Sequence, residues 1–330
     1  MEASSILVNA VLLAGSLVAL DRFSYAVITG AEDVSRSARI GLGTIGFVFV
    51  AFSTSLPEIS VSLFAVLEGS VGLSIGNVLG SNIANVCLIV GLPVVYGCIS
   101  GIEPGKCSLN LKGGDASSLF FGLFISSVLP LLLVRNVRYS RLVGVALFIT
   151  FLFYGYRLSR TGNMTDSQRQ IGDGEKEKTL VKGVLSAAMG IAGVVVCGYI
   201  LVYSATNLAE AFSLSQTLIG ATLIAVGTSF PELAVAVKSI QRGHMDFLLG
   251  NAVGSCFANL TVVLGLTLIF AETGIRMDAY FDLVFFSLIS NLCLWYFLSR
   301  LNLRLKEGLI LLAIYAIFIT EFIGIFTFFK

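Results

Sequence analysis

Apolar residues fill this chain in long blocks. In the first half they occupy windows near 5–29, 40–66, 71–98, 117–134 and 139–157; in the second, windows near 180–207, 216–239, 246–271, 279–299 and 308–329. A helix needs about 20 apolar residues to cross the hydrocarbon layer, and blocks of this length predict membrane helices. The first block opens near Ile6 without a basic leader or an obvious cleavage site, so it reads as a first membrane helix rather than a signal peptide. A polar stretch, Arg157 to Lys182, parts the two halves and contains TGNMTDSQRQIGDGEKEK. The pattern therefore predicts an all-α polytopic membrane protein of ten transmembrane helices. Residues 1–157 form a first five-helix unit, 158–179 a polar linker and 180–330 a second five-helix unit.

Composition supports the membrane reading. Of 330 residues, 56% are hydrophobic and 12% charged, with a mean hydropathy of +0.92. Soluble domains carry about 25% charged residues. The net charge of +1 and the lack of a basic block give nucleic acid nothing to bind. The cysteines, Cys87, Cys98, Cys107, Cys197, Cys256 and Cys293, show no paired metal spacing; several sit in apolar runs, where a thiol packs as a small hydrophobe.

Lysine and arginine set the orientation. Fifteen fall in the loops after odd-numbered helices, from Arg36 and Arg39 to Arg304 and Lys306. Five fall on the other side: Arg135, Arg138, Arg141, Arg276 and Lys330. The positive-inside rule then places the linker in the cytoplasm and both termini outside a multi-pass protein of the cell membrane.

Inside the apolar blocks one pattern occurs twice. Residues 51–91 contain AFSTSLPEISVS and GNVLGSNIANVCLIVG, and residues 225–265 contain AVGTSFPELAVA and GNAVGSCFANLTVVLG. Glu58 and Glu232, Ser81 and Ser255, and Asn85 and Asn259 are each 174 positions apart (232−58, 255−81, 259−85). Five helices per half would insert the second copy upside down, an inverted repeat with a substrate site at the midplane.

Pro57 and Pro231 remove a backbone donor and crowd the carbonyls of Ser53 and Gly227, which predicts loosened backbone near Ala51–Thr54 and Ala225–Thr228. Together with the hydroxyls of Thr54, Ser55, Thr228 and Ser229 and the carboxylates of Glu58 and Glu232, this is an all-oxygen set suited to hard cations such as Na⁺ and Ca²⁺. A membrane proline by itself means a kink, and a serine or threonine a packing contact. A buried glutamate is costly and functional by default.

Gly76, Gly80, Gly250 and Gly254 form small-xxx-small pairs for close helix approach. Ser81 with Asn85, and Ser255 with Asn259, share a helix face. The asparagines Asn85 and Asn259 read as ligands or their supports. Asn77 and Asn251 read equally as ligands or as packing groups. Two ionised glutamates give the empty site a charge of −2, which is unfavourable in a low dielectric. One Ca²⁺, two Na⁺ or protons neutralise it. A site that accepts either ion and resists crossing empty is an antiporter's.

These residues resemble the calcium/cation antiporter superfamily, whose paired repeats carry GTSxPE and GNxxGSxxxN/D motifs, and within it the prokaryotic Na⁺/Ca²⁺ exchangers. The resemblance implies that Glu58 and Glu232 are shared Ca²⁺ and Na⁺ ligands, with Asn85, Asn259, Thr54 and Thr228 around them. It implies one flanking Na⁺ site from Thr54, Ser55, Ser81 and the Ala51 carbonyl, and another from Thr228, Ser229, Ser255 and the Ala225 carbonyl. It further implies no resident cofactor, Na⁺ and Ca²⁺ as the transported ions, and a monomer in the bilayer. Its mechanism is sliding of the first and sixth helices against an eight-helix core. Asparagine at both 85 and 259, where K⁺-dependent relatives carry an aspartate, resembles K⁺-independent, electrogenic exchange. The departure is Ser53, where the motif has glycine, as Gly227 does; a stiffer first segment and unequal halves would follow.

Three rival functions weigh less. A Ca²⁺/H⁺ exchanger generally carries an acidic residue inside its second segment, which is missing here. A cation channel usually assembles identical subunits around an axis, whereas this chain has internal symmetry. An intramembrane hydrolase would need a base for its serines, and the single histidine, His244, reads as a loop residue. Asp21 and Arg22 read as a pair near the end of the first helix, Glu321 as a snorkelling or helix-packing residue, and Asp282 and Asn291 as packing or interfacial groups.

Overall fold

A computed structural model of the chain describes residues 3–38, 55–100, 113–133, 140–161, 173–241, 245–271, 280–300, 303–322 and 324. The described residues are helical almost throughout. In order they form α1 (Ala3–Ala38), α2 (Leu56–Leu67), α3 (Val71–Ala84), α4 (Gly91–Ile99), α5 (Gly113–Leu133), α6 (Ser140–Thr161), α7 (Asp173–Ala211), α8 (Gln216–Ile219), α9 (Ala225–Thr228), α10 (Phe230–Gln241), α11 (Met245–Ala258), α12 (Leu264–Phe270), α13 (Phe281–Ser299) and α14 (Leu305–Phe322). Three π-helical turns join successive pieces: Asn85–Ile89 between α3 and α4, Gly220–Ile224 between α8 and α9, and Asn259–Val263 between α11 and α12.

Among the described residues, five helices are long and apolar enough to cross a membrane, and six if the bent α8–α10 stretch counts as one span. Their lipid-suited surfaces are plain: Leu7, Val11 and Val18 on α1, Ile149 and Phe153 on α6, and Leu185, Met189 and Val196 on α7 are all exposed. Three boundaries differ from the sequence pattern. Helix α1 runs on to Ala38, so Asp21 and Arg22 sit mid-helix, where neighbours in sequence do not face each other. Helices α6 and α7 reach Thr161 and start at Asp173, so helix extends into both ends of the polar linker. Charged residues tolerate helix well once they lie outside the apolar layer.

Packing directions follow from a few contacts. The Ser186 hydroxyl donates to the Ala26 carbonyl (3.1 Å), and the Asn207 amide to Asn9 Oδ1 (3.4 Å), so α1 and α7 run antiparallel. Gly30 lets their backbones close up; a Cβ there would come within 2.6 Å of Gly183 O. Helices α2 and α3 form a hairpin whose turn uses Gly69 at φ 76°, a left-handed cap that suits glycine. Helix α3 in turn lies parallel to α8–α9. A Cβ on Gly76 would meet Thr217 O at 2.5 Å, and one on Gly80 would meet Ala221 O at 2.4 Å. That is the close approach expected of Gly76 and Gly80. Gly91 crosses Gly308, and Gly144 crosses Gly265, at backbone-to-backbone distance. The four glycines pin α14 to α4 and α6 to α12. Two buried apolar clusters flank the centre, one around α3, α4 and α11–α14, the other around α1, α2 and α7.

Candidate cation site

The repeated motifs meet where helices break. Ser55 occupies the N-cap position of α2 without a side-chain capping bond, just before Pro57, which sits in the first turn, a position where a proline costs no helical hydrogen bond. In the second copy the chain bends by 44° between α9 and α10, with Ser229 at the break and Pro231 just inside α10. The expected loosening of Ala225–Thr228 takes a different form. Those four residues make one α-turn, with Ser229 N donating to Ala225 O (3.3 Å), and the irregular backbone lies on either side of it. Pro231 crowds the Gly227 carbonyl, and the bend at Ser229 relieves that crowding without unwinding the turn before it.

The breaks bring both glutamates inside. Glu58 is 1% exposed and Glu232 0%. Around them Ser55, Ser81, Asn85, Ala225, Thr228, Ser229, Ser255 and Asn259 are all buried. Contacts cross between the halves: the Ser229 hydroxyl reaches Glu58 Oε1 at 3.3 Å, and the Ser81 hydroxyl reaches Ala225 O at 3.5 Å. Within the second half the Ser255 hydroxyl lies 3.4 Å from Glu232 Oε1. Three buried oxygens, Glu58 Oε2, Ser55 Oγ and Asn259 Oδ1, accept no hydrogen bond from the described residues. Buried polar atoms are nearly always satisfied, so lone pairs held here fit a cation. Ala51 and Thr54, expected ligands in the first half, lie outside the described residues, as does Ser53; so do His244 and Cys107.

Asn85 and Asn259 each open a π-turn. Such turns are rare, occur often at functional sites, and leave backbone groups short of helical partners. Sequence spacing gave no hint of them, because a π-turn inserts one residue without changing composition. The structure also separates roles that the pattern left open. Asn77 Nδ2 donates to Glu58 O (3.4 Å) and Asn251 Nδ2 to Glu232 O (3.4 Å), one shell behind the carboxylates. Ser62, which spacing did not single out, accepts from Asn77 Nδ2 at 3.0 Å. Away from the centre, Asn291 is buried on α13, and Asp282 and Glu321 lie within electrostatic reach of each other.

Comparison with known proteins agrees with this geometry. The family described as "Sodium/calcium exchanger protein" matches residues 8–159 and 182–324. The chain is 31% identical over 274 residues to the putative antiporter CaxA of Alkalimonas amylolytica, covering 81% of this chain and 80% of that protein. It is 29% identical over 353 residues to the sodium/calcium exchanger MaX1 of Methanosarcina acetivorans, covering 95% and 98%. Its fold matches the solved structure of the sodium-calcium exchanger NCX_Mj with a TM-score of 0.66 at 25% identity, over 96% of this chain and 99% of that one. This chain is thus a membrane transporter rather than an enzyme, and it belongs to the sodium/calcium exchanger family.

Proposed function

We propose that the chain is a K⁺-independent, electrogenic Na⁺/Ca²⁺ antiporter working by alternating access around one midplane site. Glu58 and Glu232 hold Ca²⁺ or Na⁺ at its centre with Asn85, Asn259, Thr54 and Thr228. Na⁺ also occupies flanking positions built from Ala51, Ser55 and Ser81 and from Ala225, Ser229 and Ser255. The observation that carries this reading is the pair of fully buried glutamates, one from each half, with the Ser229 hydroxyl of the second half on the carboxylate of the first. Two buried carboxylates in a low dielectric favour occupancy by cations over an empty site. An obligatory exchanger uses that penalty to suppress leak.

The fold we propose around the site has ten spans in two inverted five-helix repeats, with the linker in the cytoplasm and both termini outside the cell membrane. The antiparallel pairing of α1 with α7 supports it, because the first helices of inverted repeats must run oppositely. So does the parallel run of α3 beside α8–α9, which sets α8–α9 against α2. The chain works as a monomer, each copy carrying a whole site.

The test is Ca²⁺ uptake into proteoliposomes under an outward Na⁺, K⁺ or H⁺ gradient. The Na⁺ gradient alone should drive uptake. With more than two Na⁺ leaving per Ca²⁺ entering, net positive charge moves out, so an inside-positive potential should speed uptake. Uptake driven only by the proton gradient would make the protein a Ca²⁺/H⁺ exchanger, and uptake indifferent to any counter-gradient would make it a channel.

A further inference from the structure

Asn77 is more than a packing group. Its side chain sits, fully buried, between two other elements. On one side Nδ2 faces Glu58 O (3.4 Å) and Ser62 Oγ (3.0 Å) of α2; on the other, Oδ1 takes the hydroxyl of Thr228 from α9 at 3.3 Å. The carbonyl of Glu58 can only accept, so it dictates which end of the carboxamide faces α2. Oδ1 must then face Thr228. A hydroxyl carries one hydrogen and two lone pairs. The Ala225 carbonyl lies 3.4 Å from the same hydroxyl, within its own turn; a hydrogen directed to Asn77 leaves both Thr228 lone pairs for a cation.

The second half repeats half of this arrangement. Asn251 Nδ2 faces Glu232 O at the same 3.4 Å. The position matching Ser62, 174 residues on, is Ala236, which has no oxygen to offer (62 + 174 = 236). The carboxamide of Asn77 is thus held by two acceptors from α2, whereas α10 offers Asn251 one of the two.

We infer that Ser62 and Asn77 form a positioning clamp that holds Thr228 as a lone-pair donor in the cation site, and that the clamp is stronger on this side of the site than on the side backed by Asn251. Neither clamp residue touches the ion. The inference rests on the site reading above, with Thr228 as a ligand. It makes the unequal halves a matter of what stands behind the ligands, in addition to the Ser53 and Gly227 difference inside the motifs.

The experiment measures Na⁺-driven Ca²⁺ uptake in proteoliposomes as internal Na⁺ is varied, for the intact protein and for Ser62→Ala, Asn77→Ala and Glu58→Gln. Loss of one neutral hydrogen bond to a group that orients a ligand should raise the Na⁺ half-saturation of Ser62→Ala by about 2- to 10-fold. Its maximal rate and melting temperature should stay near those of the parent. Asn77→Ala should shift the half-saturation further in the same direction. A merely structural Ser62 would lower melting temperature or maximal rate and leave the Na⁺ dependence alone, and that result overturns the clamp. So does an unchanged Ser62→Ala. If Glu58→Gln keeps Ca²⁺ transport, the site reading itself falls, and the clamp with it; loss of transport in Glu58→Gln beside an unshifted Ser62→Ala sinks the clamp alone.

Discussion

The Ser229 hydroxyl, 3.3 Å from Glu58 Oε1, is where one half of the chain touches the charge of the other. Ser229→Ala removes a hydrogen bond to a charged group and a neutral oxygen from the cation's surroundings. Bonds of that kind are worth about 1.5–3 kcal/mol, so Ca²⁺ half-saturation in the transport assay should rise roughly tenfold or more. An unchanged half-saturation would remove Ser229 from the site. Most of this chemistry was legible in the sequence. A glutamate one residue after a proline, twice, inside apolar blocks, has few explanations other than a shared polar centre. Ser62 was not legible, because a lone serine in an apolar helix has the same composition whether it packs or clamps. Its role depends on Asn77, which reaches it from another helix.

Several helix contacts depend on glycine. Gly80 lies where α3 meets the π-turn between α8 and α9, and an added Cβ would fall 2.6 Å from Ala221 Cα as well as 2.4 Å from its carbonyl oxygen. Those are backbone atoms, so the helices must part. Gly80→Ala should lower the melting temperature in detergent by several degrees and weaken transport, since the Ser81 contact with Ala225 O lies one residue on. Gly15→Ala on α1 is the matched control: nothing among the described residues lies within 4 Å of the added carbon. It should leave stability unchanged or raise it by up to about 1 kcal/mol, the helix-propensity gain of alanine. Equal losses in both variants would show that helix packing at Gly80 is looser than the distances indicate. The small-xxx-small spacing announced this contact for Gly76 and Gly80, but the partner on α8 could not be read from a spacing. The π-turns at Asn85 and Asn259 were likewise invisible, and so was the survival of Ala225–Thr228 as a helical turn. Each depends on how a broken helix is held from outside. Helix ends shifted for a simpler reason: hydropathy marks where the apolar run ends, and α1, α6 and α7 continue past it as ordinary helix.

At the scale of the whole molecule the claim is symmetry. Two halves, each unable to neutralise or enclose a cation, close on each other and share one site. Topology is checked with a reporter that fluoresces only in the cytoplasm. Fused within the polar linker near position 168 it should light up, and fused after Lys330 it should stay dark. A bright C-terminal fusion would make the number of crossings in the second half even and contradict a five-helix second repeat. The more direct question is whether the two glutamates act as one site. Equilibrium binding of radioactive Ca²⁺ to the purified protein in Na⁺-free detergent answers it. The account predicts a single Ca²⁺ per chain, displaced by Na⁺, and lost both in Glu58→Gln and in Glu232→Gln. Two Ca²⁺ per chain, with each substitution removing one and sparing the other, would contradict it.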